Sequence, residues 1–418
     1  MTGKLTENDY ALWLFNIRGI GNKSIDKLLC GDRTCKEIYG MDKKELSMFL
    51  SEKQVDSLIK SRNVWDFEKE RRKLENKGIR FISRIDDEYP EKLKNIADPP
   101  FALYVKGRLP NPDKPAVAII GARMCSEYGR YMARQIGRGL AFAGVQVISG
   151  MARGVDGISQ KAALQAGGAS YAIVGSGVDV CYPDDNRDVY EELCLSGGVI
   201  SEYPPGTEPK ANFFPMRNRI ISALSDVVVV VEARRKSGTQ ITVDTALEQG
   251  KEVLACPGRL TDRLSDGCNY LISQGAGVVI DVNDVIDRLW HVRSRAASQN
   301  RALQMSTADA QNKPLHMPVV AAQTGSQSPS PGSEQVPAAT TQAPSPETTF
   351  AEPEPEEALE TAILESVDVI PISSSGIMEK ISERGIEISV PELMKKLFDM
   401  SNMGKLSQNG VYFLKREF

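Results

Sequence analysis

The chain has 418 residues, 51 Lys and Arg against 55 Asp and Glu, 41% hydrophobic residues, two histidines and seven cysteines. That length allows about two to four domains with ample cores and excludes a small disulfide-held fold. No apolar run approaches the roughly 18 residues needed to cross a bilayer, the first eight residues hold no apolar signal segment, and the odd cysteine count contains no Cys-x-x-Cys pair. The cysteines therefore read as reduced thiols in a soluble, cytoplasmic protein without membrane contact or structural zinc.

The histidines constrain function further. His291 and His316 both lie in or beside a low-complexity stretch. The folded core then has no histidine general base, no Ser-His-Asp triad and no imidazole metal ligand. The expectation is a protein with no catalytic residue, no metal and no cofactor. Net charge is −4, with a surplus of basic residues at the N-terminus and of acidic ones toward the C-terminus. Any contact with nucleic acid must rest on a local patch rather than on a globally basic domain.

The first 84 residues are charged and helical in pattern, and form one expected domain. Within them Leu14 to Leu29 has the form of a helix-hairpin-helix, with Gly19 and Gly21 flanking Ile20 in a tight turn. Backbone N–H groups at such a turn can face a phosphate, with Lys23 beside them, which makes Gly19, Gly21 and Lys23 a possible second DNA contact. A small helical domain that touches no nucleic acid fits the same residues.

Residues 85–290 alternate β-rich runs with helical patterns. The runs are Ala116–Ile120, Val145–Ser149, Ala172–Val174, Gly198–Ser201, Val227–Val231, Val253–Ala255 and Val278–Ile280, with amphipathic segments such as Tyr128–Phe142 between them. Continuous apolar strands separated by helices predict a doubly wound, Rossmann-like parallel α/β sheet, whose ligands bind beyond the carboxyl ends of the strands. Those ends collect Gly121-Ala122-Arg123-Met124, then Gly150, Arg153 and Gly154, then Gly175-Ser176-Gly177. Further along come Lys210, Phe213, Phe214, Arg217, Asn218 and Arg219, and finally Lys236-Ser237-Gly238-Thr239. Glycine admits close backbone approach to an anion, helix N-termini offer free N–H donors, and the arginines and lysines add cationic side chains on one rim. No Gly-x-Gly-x-x-Gly follows the first strand and no Gly-x-x-x-x-Gly-Lys-Ser/Thr occurs, so dinucleotide and ATP chemistry lose support.

Residues 291–356 run in Ala, Gln, Ser, Thr and Pro and predict a disordered tether. In 357–418, apolar residues return at helical spacing, Ser389-Val-Pro-Glu392 has the form of a capping box, and Asn409-Gly410 separates two strand-like runs. Three short helices and a hairpin outline a winged helix, with few basic residues for reading duplex DNA.

These motifs resemble the DNA-processing protein A (DprA/Smf) family. The resemblance rests on Asp87-Glu-Tyr-Pro-Glu-Lys-Leu93, Ile120-Gly-Ala-Arg123, Ser149-Gly-Met-Ala-Arg-Gly-Val-Asp156, Tyr182-Pro183, Ser201-Glu-Tyr-Pro-Pro-Gly206, Phe214-Pro-Met-Arg-Asn-Arg-Ile-Ile221 and Lys236-Ser-Gly-Thr239. It covers about residues 8 to 288 and returns in the C-terminal module. It implies a single-stranded DNA-binding homodimer that protects incoming DNA during natural transformation and loads RecA recombinase on it, with Arg123 as a principal phosphate contact. It also implies an N-terminal SAM-like helical domain and a C-terminal winged helix. Three residues depart from the family pattern: Ala122 replaces Ser or Thr, Gln160 a histidine and Asp184 a lysine. An acidic Asp184 facing the strand would weaken binding.

The aromatic pair Phe213-Phe214 is expected to give at least one core residue, the other being available to stack on a base. The alternative reading is an enzyme, a nucleotide-cleaving phosphoribohydrolase, because Ser237-Gly-Thr-Gln-Ile-Thr242 is reminiscent of the phosphate loop of that class. Against it, the position of the catalytic glutamate is taken here by Gln240, Ile241 and Thr242, with Asp244 as the nearest carboxylate and Glu232 read as structural.

Overall fold

The structure is a computed structural model and describes residues 4–294, 355–366, 372–386, 388–403, 405–409 and 412–415. The chain divides into two compact units, Met1–Arg301 and Ala302–Phe418. No helix among the described residues is long and apolar enough to cross a membrane.

The first unit opens with six helices: α1 (Glu7–Phe15), α2 (Asn22–Leu29), α3 (Cys35–Gly40), α4 (Lys43–Ser47), α5 (Glu52–Val64) and α6 (Phe67–Asn76). Capping boxes at Thr6/Asp9, Thr34/Glu37, Asp42/Glu45 and Ser51/Gln54 fix four of their starts, each satisfying N–H groups that a helix leaves open. Trp13, Leu14, Ile25, Leu28, Ile38 and Leu58 form their shared core, and Phe101 and Ala102 enter it from the neighbouring sheet.

A nine-stranded sheet follows: β1 (Ile79–Ser83), β2 (Ala102–Gly107), β3 (Ala116–Ile120), β4 (Gln146–Ser149), β5 (Ser170–Ile173), β6 (Gly198–Ser201), β7 (Val227–Val230), β8 (Glu252–Ala255) and β9 (Gly277–Val278). Its order is β1-β2-β6-β5-β4-β3-β7-β8-β9. The strands from β6 through β9 pair in parallel, so the expected α/β sheet is present. The pattern of the sequence misses β1 and β2, which pair antiparallel with each other, while β2 also runs antiparallel to β6. β1 lies within the stretch read as purely helical, and through it the helical segment is tied into the sheet.

The connecting helices are α7 (Glu91–Lys94), α8 (Glu127–Phe142), α9 (Val155–Gln165), α10 (Arg187–Ser196), α11 (Phe213–Leu224), α12 (Gly238–Glu248), α13 (Asp266–Ser273) and a further helix α14 over residues 282–294. All four residues of β7 are buried, as a strand covered on both faces requires. From β3 the chain winds outward through β4, β5 and β6, then crosses back by α11 to β7 on the other side of β3. The reversal beside the carboxyl end of β3 is a topological switch point, where open α/β sheets hold ligands.

The second unit contains α15 (Pro355–Ser366), β10 (Ile372–Ser373), α16 (Ser374–Glu383), α17 (Val390–Asn402), β11 (Leu406–Asn409) and β12 (Tyr412–Lys415), with sheet order β10-β12-β11. Ile377, Ile381, Leu393, Leu397, Met400, Leu406 and Phe413 make its core. The expected capping box opens α17, with the Ser389 N–H donating to Glu392 at 3.1 Å. The expected tether falls outside the described residues except at its ends, which are helical in 291–294 and 355–356.

Candidate nucleic-acid interface

At the switch point lies a cleft of about 650 Å³. Its walls are the turn after β3 (Gly121 to Met124), the cleft face of α11 (Phe214, Arg217, Asn218, Ile221), the N-terminus of α12 (Ser237 to Thr239, with Ile241 and Thr242) and Arg234. Ala152, Asp156 and Tyr182 close the far side.

The β3 turn is held by backbone alone. The Ala122 N–H donates to the Glu232 carbonyl at 2.7 Å, and the Val155 N–H donates to the Ala122 carbonyl at 3.2 Å. Gly154 has φ +74°, and a Cβ there would stand 2.2 Å from the Ala122 carbonyl oxygen, so only glycine lets α9 start this close to the turn. The turn thus keeps its geometry with alanine at 122. Arg123 and Met124 project from it, both exposed. Among the described residues Arg123 has no carboxylate partner; its guanidinium lies 5.4 Å from the Phe214 ring centre. Phe214 in turn meets Tyr182 at 5.7 Å between ring centres. Tyr182, Phe214 and Arg123 form a ladder of flat groups along one wall.

Neither phenylalanine is a core residue, contrary to the expectation for this pair; both are half-buried. Phe213 stacks on Tyr203 at 4.1 Å and 23°, with the Lys210 ammonium 5.7 Å from its ring.

The arginines divide by role. Arg217 lines the cleft but is buried, its Nη1 donating to the Gly150 carbonyl at 2.9 Å. Burial pulls its pKa down to about 10, a loss that the nearby Asp156 charge partly offsets and Arg123 adds to. Burial likewise raises the Asp156 pKa, against Arg217 and the N–H groups of Gly150 and Ala152. Gly150 sits between them, since a Cβ there would meet Arg217 Nη2 at 2.3 Å and Asp156 Oδ2 at 2.7 Å. Arg217 is thus a wall element rather than a mobile phosphate ligand.

Arg219 is a correction to the expected set: it is buried outside the cleft lining, pairing with both Glu202 oxygens at 2.8 and 2.9 Å and with the Asp98 carbonyl at 2.8 Å. Arg153 also lies off the lining, paired with Asp185 at 2.5 Å. The glycine-rich run Gly175-Ser176-Gly177 does not open N–H groups toward a ligand. Gly175 backs the Phe214 ring, Ser176 is buried, and the Gly177 N–H donates to Thr207 at 2.8 Å. Lys210, Phe213 and Lys236 stand outside the lining, exposed or half-buried.

Among the lining residues not singled out are two that can contact a nucleic acid, Arg234 and Tyr182. Arg234, exposed and without an ion-pair partner among the described residues, occupies the place expected of Lys236. Tyr182 supplies the outer ring of the ladder. The signal for both is present in Glu232-Ala-Arg-Arg-Lys236 and Tyr182-Pro183, but nothing in those runs indicates which side chain turns inward.

Of the three departures from the family pattern, Ala122 lies in the cleft wall, while Gln160 and Asp184 fall away from it. Gln160 is buried, accepts from the Met151 N–H at 3.0 Å and donates to the Tyr171 carbonyl at 3.0 Å, bracing Met151 at φ +54°. Asp184 is exposed and paired with Arg187. Glu232, read as structural from the sequence, is fully buried and accepts from the Ser126 N–H at 2.8 Å, filling the space that Gly129 leaves. Asp244 is bound by Gln240 at 2.9 Å and lies outside the lining. The helix-hairpin-helix turn is likewise placed elsewhere, directly before α2, with Gly19, Gly21 and Lys23 exposed.

A family model for DNA recombination-mediator protein A matches residues 80–290. The chain is 42% identical over 205 residues to DNA processing protein DprA of Streptococcus pneumoniae, covering 49% of this chain and 72% of that protein. A crystal structure of the S. pneumoniae DNA processing protein A superposes with a TM-score of 0.59 at 32% identity, covering 68% of this chain and 98% of the other. DNA processing protein A of Helicobacter pylori, whose structure is described for its unique single-stranded DNA binding mode, aligns at 32% identity with a TM-score of 0.47, covering 51% of this chain and 96% of the other.

Proposed function

Because this chain belongs to the DNA recombination-mediator protein A family, we propose that it binds single-stranded DNA in the cleft at the carboxyl ends of its strands. The observation that carries this reading is the wall of Tyr182, Phe214 and Arg123 facing the unpaired Arg234. Flat side chains accept bases of any identity by stacking, and unpaired cations beside them accept the phosphates between those bases. The N-terminus of α12, where Ser237 makes no side-chain cap, adds open N–H donors. Sequence preference is low in such a site, because phosphate contacts position a strand without reading it.

Delivery of the bound strand to RecA, homodimerisation through the central domain and a cytoplasmic setting follow from the family resemblance, and complete the reading as a factor of natural transformation. The helical segment 1–84 then serves as the SAM-like domain, and the unit of α15 to α17 with its three-stranded sheet as the winged helix, joined by the tether. No catalysis is assigned. Asp156 is the one carboxylate lining the cleft, and it is buried against Arg217 rather than presented to a ligand. That disfavours the phosphoribohydrolase alternative, which needs an available carboxylate beside the phosphate loop.

The test is fluorescence anisotropy of a labelled oligothymidine with the full chain across a salt series. Saturable binding whose affinity falls steeply with salt supports the reading; no binding at low salt, or release of free base from nucleoside monophosphates, overturns it.

A further inference from the structure

Next in sequence to the cleft lies a second set of aromatic and cationic groups. Phe213, next in sequence to the cleft residue Phe214, stacks on Tyr203 at 4.1 Å beneath the Lys210 ammonium. The residue before Tyr203, Glu202, is held by Arg219 on one side and accepts from Asn22 Nδ2 at 2.7 Å on the other. Asn22 is the first residue of α2, directly after the Gly19–Gly21 turn, and its Oδ1 also accepts from the Phe101 N–H at 3.2 Å. The hairpin of the N-terminal helices is thus pinned to the backbone that carries the Tyr203–Phe213 stack. Beside the pin, Arg18 and Lys23 are exposed and have no ion-pair partner among the described residues, whereas Glu202, Asp98 and Asp26 are engaged; Glu208, two residues before Lys210, is exposed and has no ion pair among the described residues.

Resting on the cleft reading above, we propose that the DNA strand leaves the cleft over the Tyr203–Phe213 pair and runs onto the N-terminal hairpin, where Arg18 and Lys23 take the next phosphates. The hairpin is an extension of the single-strand track. Glu202 is the joint: Arg219 offsets its charge and the Asn22 amide donates to it, so that the path from Lys210 to Lys23 crosses no free carboxylate at that point. The occupant is the same polyanion as in the cleft, since a flat pair followed by unpaired cations repeats the arrangement of Phe214 and Arg123.

The experiment compares full-length wild type, Arg18→Ala/Lys23→Ala and Arg123→Ala on labelled oligothymidines of about 6 and about 24 nucleotides, lengths that fill the cleft alone or run past it. The exposed positions make all three variants safe for folding, which thermal melts check. The double variant is expected to match wild type on the short strand and to lose several-fold affinity on the long one. Its salt slope on the long strand should be smaller by about 1.4, two contacts at about 0.7 each. Arg123→Ala should weaken both lengths. A double variant equal to wild type on the long strand, with Arg123→Ala weakened, overturns the extended track and leaves the cleft reading standing. Wild-type affinity of Arg123→Ala at both lengths overturns both. Equal losses of the double variant on both lengths overturn the order of the track.

Discussion

Arg217 Nη1 donates to the Gly150 carbonyl oxygen at 2.9 Å, binding the middle of α11 to the end of β4 beneath the cleft. A cation that from the sequence belongs to the ligand-binding rim is thereby built into the wall.

Removing that side chain should therefore act on folding before it acts on binding. Arg217→Ala leaves the buried Gly150 carbonyl without its donor and removes a positive charge near the buried Asp156, a loss of about 1–3 kcal/mol. The melting temperature of Arg217→Ala should fall well below that of wild type. An unchanged melting temperature with weakened DNA binding would restore Arg217 to the ligand-contact role.

The exposed pair should behave oppositely. Arg123→Ala and Arg234→Ala are expected to keep the wild-type melting temperature, to lower single-strand affinity several-fold each, and to reduce the salt slope by about 0.7 each, as one lost phosphate contact predicts. Anisotropy titrations at several salt concentrations read all of this.

Stacking makes a contribution that salt does not screen. Phe214→Leu retains apolar volume but removes the flat surface between Tyr182 and Arg123, and should cost about 1–3 kcal/mol of binding while leaving the salt slope unchanged. An altered slope would mean that Arg123 had lost its position as well.

Asp226 predicts a pH dependence of stability. Burial raises its pKa, but Lys92 at 2.5 Å, the Ala116 N–H at 3.0 Å and Arg293 at 3.2 Å overcome this and hold it below the ordinary carboxylate value. Because the folded-state pKa is the lower one, the contribution is complete above the ordinary value and disappears as pH falls through the depressed value. Asp226→Asn should cost about 2 kcal/mol at pH 7, reduced from the fully buried case because both cations reach solvent. The difference in melting temperature from wild type should close as pH is lowered toward 3.

The central strands were legible because a strand buried on both faces writes itself as an unbroken apolar run, as in Val227–Val230. β1 and β2 were not, since Ile79-Arg-Phe-Ile-Ser83 is short, alternating and preceded by a charged helix. Its pairing with Ala102–Gly107, and theirs with β6, is non-local. The location of the cleft was readable from the glycines and arginines at strand ends. Which arginine faces it depends on helical phase: on α11, Phe214, Arg217, Asn218 and Ile221 share the cleft face, while Arg219 lies about 200° around the helix from Arg217 and meets Glu202. Phase could be counted in advance, but whether Arg217 would reach solvent or fold back onto Gly150 depends on packing that no local pattern records.

The amide of Gln160 braces the turn that carries Gly150 and Met151. A primary amide holds no titratable proton, so Gln160 keeps one hydrogen-bonding pattern across the whole physiological pH range. An imidazole in that place would switch between donor and acceptor at one nitrogen near neutrality. In this chain a response to acid beneath the cleft enters through Asp156, whose pKa burial raises and which accepts from the Gly150 N–H at 3.1 Å, and not through the residue at 160.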